Sequence, residues 1–78
     1  MNLAEFLKNE RDKRCLNQSE MAAKIGVTRC TYNNYEKGWQ LKGKIRVPSS
    51  AIRKRIAKFT NCSTEYINQL IKNSRKEN

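Results

Sequence analysis

LNQSEMAAKIGVTRCTYNNYEKG, residues 16–38, is the stretch from which the rest of this chain can be read. Met21, Ala22 and Ile25 recur at the spacing that puts side chains on one face of a helix, and Asn17 stands where a polar cap would start it. Gly26 follows, able to take the left-handed backbone that closes a helix end at little cost. Thr28 opens a second run in which Tyr32 and Tyr35 share one face. Arg29, Cys30, Asn33, Asn34 and Lys37 fall outside that face, and Gly38 ends the run. Only Gly26 and Val27 separate the two helices, so the chain must turn sharply. Ala22 is small where the helices cross, and Met21, Ile25, Val27, Tyr32 and Tyr35 supply a shared apolar seam. Gly26 occupies a place where a side chain would clash in the turn.

Outward from this unit the chain keeps reading as helix. Asn2 caps a first helix over residues 3–14, with Glu5 three positions on and Leu3, Phe6 and Leu7 on one side; Cys15 and Leu16 end it. Pro48, Ser49 and Ser50 open a fourth helix with Ile52, Ile56 and Phe59 inward and Arg53, Lys54, Arg55 and Lys58 on its exposed side. Asn61 closes it. Ser63 caps a fifth with Tyr66, Ile67, Leu70 and Ile71 inward. Between the third and fourth helices, GWQLKGKIRVP (38–48) breaks the pattern. Trp39, Leu41, Ile45 and Val47 alternate with Gln40, Lys42, Lys44 and Arg46 about Gly43, the period of a strand. Residues 39–47 therefore form either a short β-hairpin with one basic face or an extended loop.

The totals narrow the function. Seventy-eight residues suffice for one domain with a single modest core. Seventeen Lys and Arg against seven Asp and Glu leave a formal charge of +10, so the surface attracts polyanions, nucleic acid first among them. No apolar run approaches the roughly 18 residues of a membrane span, and no apolar signal region follows Met1, which points to a cytoplasmic protein. Cys15, Cys30 and Cys62 are odd in number and widely spaced, with no histidine in the chain. That pattern suits neither a zinc site nor a disulfide framework. With no His, no paired acids and no glycine-rich phosphate loop, the chain reads as no enzyme, with no metal, cofactor or small-molecule ligand.

Two short helices across a tight glycine turn in a basic domain form a helix-turn-helix pattern. LNQSEMAAKIGVT and YEKG resemble the phage repressor and Cro type, the XRE family, and the resemblance extends over residues 3–71. It implies an all-α, compact five-helix, lambda-repressor-like domain whose third helix enters the DNA major groove, as a two-fold homodimer on a near-palindromic operator. By motif, Asn17 and Gln18 match positions that touch phosphates; Thr28, Arg29, Cys30, Asn33 and Asn34 match positions that reach bases. Arg11 and Glu36 match a buried ion pair that ties the first helix to the third. The family usually needs only a few residues between the third and fourth helices, and this chain has roughly six more.

Side-chain chemistry agrees with that assignment. Arg29 can donate a bidentate pair to guanine O6 and N7, and Asn34 has the donor and acceptor that suit adenine. Thr28 can set its methyl on a thymine or its hydroxyl on a phosphate, and Cys30 offers an apolar contact. Lys37, Lys42, Lys44 and Arg46 are phosphate-binding candidates. The reading is a sequence-specific regulator of transcription acting on double-stranded DNA, a repressor of a phage, mobile element or bacterial operon. Residues 1–72 form the domain, with the helix-turn-helix at 17–37, and 73–78 form a frayed tail. An antitoxin that regulates its own operon uses the same domain; a general RNA-binding basic protein is the other alternative, distinguished by tight binding without sequence preference.

Overall fold

In the computed structural model, residues 1–37 and 47–76 are described. Trp39, Lys42, Lys44, Arg46 and the hairpin or loop of which they are part lie outside the described residues, save Val47 at its end. Five helices follow in order: α1 (Leu3–Lys13), α2 (Gln18–Ile25), α3 (Arg29–Lys37), α4 (Ser50–Thr60) and α5 (Thr64–Lys76). Among the described residues every regular element is a helix. α1 packs on α3 and α5, α2 on α3 and α4, and α4 on α5.

The local chemistry fixes the helix ends. Asn2 Oδ1 accepts from the Glu5 N–H at 2.9 Å and starts α1. Asn17 Oδ1 accepts from the Glu20 N–H at 2.8 Å while the Glu20 carboxylate accepts from the Asn17 N–H at 2.9 Å, a full capping box on α2. Ser49 and Ser63 hydroxyls cap α4 and α5 by accepting from the Ile52 and Tyr66 N–H groups. Gly26 (φ +78°) and Asn61 (φ +59°) end α2 and α4 in left-handed backbone, as Cys15 (φ +56°) does just beyond α1.

The core gathers one face from every helix: Leu3, Phe6 and Leu7; Met21, Ala22 and Ile25; Tyr32 and Tyr35; Ile56 and Ala57; and Ile67, Leu70 and Ile71. Burying each of the large aliphatic side chains contributes about 1.5–3 kcal/mol. Leu16, Val27, Val47, Ile52, Phe59 and Cys62 pack around this cluster. Tyr32 is fully buried, and its hydroxyl donates to the Leu7 carbonyl at 3.3 Å, so a polar tip on a seam residue is satisfied across α1. Thr60 likewise turns its buried hydroxyl back to the Ile56 carbonyl at 2.7 Å.

Four expectations change. Arg53 is not part of an exposed basic face: it is half-buried, with Nε donating to the Pro48 carbonyl at 2.9 Å and a terminal nitrogen to Asn68 Oδ1 at 3.2 Å, tying the start of α4 to α5. Tyr66 is 43% exposed, because its ring meets Phe6 edge-on at 5.6 Å on the outside of the α1–α5 contact. At Gly26 an added Cβ would meet the guanidinium of Arg55, the end of a flexible side chain, and not the turn itself. Its φ of +78° is what calls for glycine there. α5 also continues to Lys76, into the segment the sequence reading treats as tail.

Candidate nucleic-acid interface

The helix-turn-helix unit is built by three sharp constraints. The capping box fixes where α2 begins, Gly26 fixes where it ends, and Thr28 fixes the start of α3. The Thr28 hydroxyl accepts from the Thr31 N–H at 3.2 Å and donates to the Thr31 hydroxyl at 2.9 Å. Tyr32 and Tyr35 then hold α3 against the core, which leaves its other side outward. Arg29, Cys30 and Lys37 are exposed on that side, and Asn33 and Asn34 are half-buried. Arg29, Cys30 and Asn33 line a shallow hollow together with Gln18 of α2. Polar side chains of α2 and α3 thus converge at one place on the surface.

Beneath the hollow lies a buried polar network. Arg11 Nε donates to Glu36 Oε2 at 2.7 Å, and a second nitrogen lies 3.4 Å from Oε1. Another Arg11 nitrogen donates to the Leu16 carbonyl at 3.0 Å, which joins α1 to the segment leading into α2. The side chains are only 16% and 8% exposed, so the pair is a largely buried link between α1 and α3. Burial would raise the Glu36 pKa, but hydrogen bonds from Arg11, Tyr32 and Gln18 hold it below the ordinary carboxylate value. The Arg11 pKa rises chiefly because of that hydrogen bond to Glu36. Burial, then the hydrogen bond to Glu36, pushes the Tyr32 phenol far up, so it stays neutral and a donor.

Gln18 is where the network reaches the surface. Its Nε2 donates to Glu36 Oε1 at 3.2 Å and to Asn33 Oδ1 at 3.1 Å. Both amide hydrogens are then committed inward, and no side-chain donor remains for a phosphate. Asn17 uses its Oδ1 as the cap and keeps its amide nitrogen. Asn34 makes no side-chain hydrogen bond to the protein among the described residues, and Arg29 makes no ion pair there. The hydroxyl of Thr28 is occupied as a cap, which leaves its methyl as the outward group.

Sequence reasoning missed two features of this surface. The capping box was legible, since Glu20 stands three residues after Asn17. The bonds from Gln18 were not, because their partners lie 15 and 18 residues away and no spacing rule relates them. A second hollow, lined by Lys24, Arg55, Lys58 and Phe59, adds, among the described residues, a patch from α2 and α4 whose charged residues are all basic. Arg14 completes that side by lying 4.8 Å over the Phe59 ring while bonded to Glu10 at 2.7 Å.

A capped α2, a left-handed glycine turn and an α3 with its aromatic side down and its polar side out define a DNA-binding helix-turn-helix. A helix-turn-helix family profile matches residues 7–67, most of the chain and all of the interface described above. The chain belongs to that family, of the XRE or Cro and C1 repressor type, and is a DNA-binding regulator of transcription. The family is a regulatory and not an enzymatic one. No curated protein and no solved structure gives a significant match to the chain. Among the described residues no helix is long and apolar enough to cross a membrane.

Proposed function

We propose that this protein is a transcriptional repressor that binds a near-palindromic operator in double-stranded DNA as a homodimer and acts by occupying it. The observation that carries the reading is the outward side of α3, where Arg29, Cys30, Asn33 and Asn34 share one polar surface beside the start of α2. Arg29, exposed in the first turn of α3, is the guanine reader, and Asn34 one turn further reads adenine. Thr28 and Cys30 supply apolar contacts to thymine methyls, and Asn33 adds a further base contact.

Phosphate contacts come from Asn17 and Lys37, and on charge alone from Lys42, Lys44 and Arg46 between α3 and α4. Gln18 contributes through its main-chain N–H in the first turn of α2, because its side-chain donors are taken. The test is selection from a randomised duplex pool followed by footprinting of the selected site. A two-fold site with half-sites about 34–36 Å apart is expected. Arg29→Ala should relax the choice of base at one position per half-site, by roughly 1–3 kcal/mol of lost discrimination. Charge removal at Lys37, Lys42, Lys44 or Arg46 should weaken all sequences together and reduce the salt slope. Unchanged operator preference in Arg29→Ala, or RNA bound as tightly as duplex DNA without sequence preference, would refute the assignment.

A further inference from the structure

The polarity of the reading surface is set from below it. Glu36 is an ionised carboxylate and can only accept, so the Gln18 amide must turn its nitrogen, not its oxygen, toward Glu36 Oε1, 3.2 Å away. That nitrogen carries two hydrogens, and the second points at Asn33, 3.1 Å away. Asn33 must then answer with Oδ1, since its own nitrogen would put donor against donor. The orientation of two surface amides, ordinarily free to flip, follows from one buried charge. Gln18 is left with Oε1 outward and Asn33 with Nδ2 outward, on the walls of the hollow shared with Arg29 and Cys30.

We propose that Glu36 is a positioning residue for sequence readout: through Gln18 it locks Asn33 as a donor and Gln18 as an acceptor toward the DNA. The readout half of this inference rests on the function proposed above; the amide orientation does not. Asparagine grips adenine by presenting nitrogen and oxygen together to N7 and N6. Asn33 has its oxygen turned inward and offers a donor alone. It therefore selects a base whose major-groove edge accepts: guanine through N7 and O6, adenine through N7 alone, or thymine through O4. It disfavours cytosine, which presents only its N4 donor there. Gln18 Oε1 takes the complementary role toward cytosine N4 or adenine N6. The adenine-type bidentate contact is thereby confined to Asn34, whose amide has no such tie among the described residues.

Two measurements test this. In the free protein, side-chain amide NMR should find the Gln18 Nε2 protons slowed in exchange and those of Asn33 Nδ2 fast. The Glu36→Gln variant, whose amide can meet Gln18 with either atom, should bring the two residues to similar rates. Slower exchange at Asn33 than at Gln18 in the parent protein would overturn the orientation directly, without reference to DNA. Second, duplex selection is run on the parent, Asn33→Ala and Gln18→Met, each checked for folding by thermal melting. Asn33→Ala identifies the position that Asn33 reads. At that position Gln18→Met, which removes the tie at similar volume, should cut discrimination against cytosine from about tenfold to about twofold, the scale of one hydrogen bond. The guanine read by Arg29 should persist. An unchanged profile for Gln18→Met at the Asn33 position overturns the lock, whereas a parent protein that selects no sequence overturns the DNA reading on which the readout half stands.

Discussion

Breaking the Arg11–Glu36 pair from either side should be far more damaging than removing both partners. Arg11→Met leaves the Glu36 carboxylate 8% exposed in the parent geometry, with only the Gln18 amide and the neighbouring Tyr32 hydroxyl to compensate it. Losing one partner of a buried pair commonly costs about 3–5 kcal/mol, and the near-complete burial of Glu36 places this variant in that range. Glu36→Met is milder, at about 2–3 kcal/mol. Arg11 is 16% exposed, keeps its bond to the Leu16 carbonyl, and has Asp12 3.6 Å away at the surface. The double variant leaves no uncompensated charge and fills the space with apolar side chains, so its cost should be about 2 kcal/mol or less.

A coupling energy of at least about 3 kcal/mol follows from comparing the double variant with the sum of the singles. A 78-residue domain has a total stability of about 4–12 kcal/mol, so Arg11→Met could leave little of it. Urea unfolding followed by far-ultraviolet circular dichroism should therefore be run near about 10–20 °C, where such domains are most stable. A coupling below about 0.5 kcal/mol would falsify the reasoning, because the two side chains would then act independently.

The pH dependence follows from the same carboxylate. A depressed folded-state pKa on Glu36 gives stability that is present above its unfolded value near 4.5 and is lost as pH falls through the folded value. Glu10, offset from its burial by bonds from Arg14 and Lys13, acts in the same direction. Acid unfolding should thus steepen below about pH 4.5, and Glu36→Gln should reduce but not abolish that slope in urea titrations at several pH values. Gly26→Ala, forced into φ +78° and displacing the Arg55 guanidinium, should lose about 1–2 kcal/mol by denaturant unfolding. Cys15→Gly should shift stability the other way, by about 0.5–1 kcal/mol, since relief of the strain at φ +56° outweighs the added chain entropy of glycine. Asn17→Ala should cost about 1 kcal/mol through the lost capping box, read as a lower unfolding midpoint with an unchanged m-value.

The helices were legible because their signals are local. Asn2, Asn17, Thr28 and Ser63 each sit one turn from an N–H they satisfy, and Gly26 and Asn61 each end a helix by their own backbone geometry. The inward residues of α1 and α2, and the two tyrosines of α3, followed from periodicity alone. Arg53 and Tyr66 escaped for the opposite reason. Spacing places them on a helix face but cannot say that Pro48 and Asn68 offer acceptors to one, or that Phe6 is met from outside by the other. The outward side of α3 was readable as a set of residues, yet not as a set of free donors and acceptors. That depends on whether Thr28 and Gln18 spend their hydrogens inside the protein.

This difference decides which positions are free to change specificity. Arg29 and Cys30 stand exposed, with no ion pair or hydrogen-bond partner of their side chains among the described residues, so under the proposed docking exchanging them alters what is presented to DNA without disturbing the core. Asn33 is tied through Gln18 to Glu36, and Glu36 to Arg11 on α1, so a side chain at position 33 must first offer an acceptor to Gln18. A residue with no acceptor there would strand one hydrogen of a half-buried amide whose other hydrogen is held by a buried carboxylate. On the proposed readout, sequence preference can therefore drift at the first turn of α3 while the middle of the helix remains linked to the interaction that joins α3 to α1.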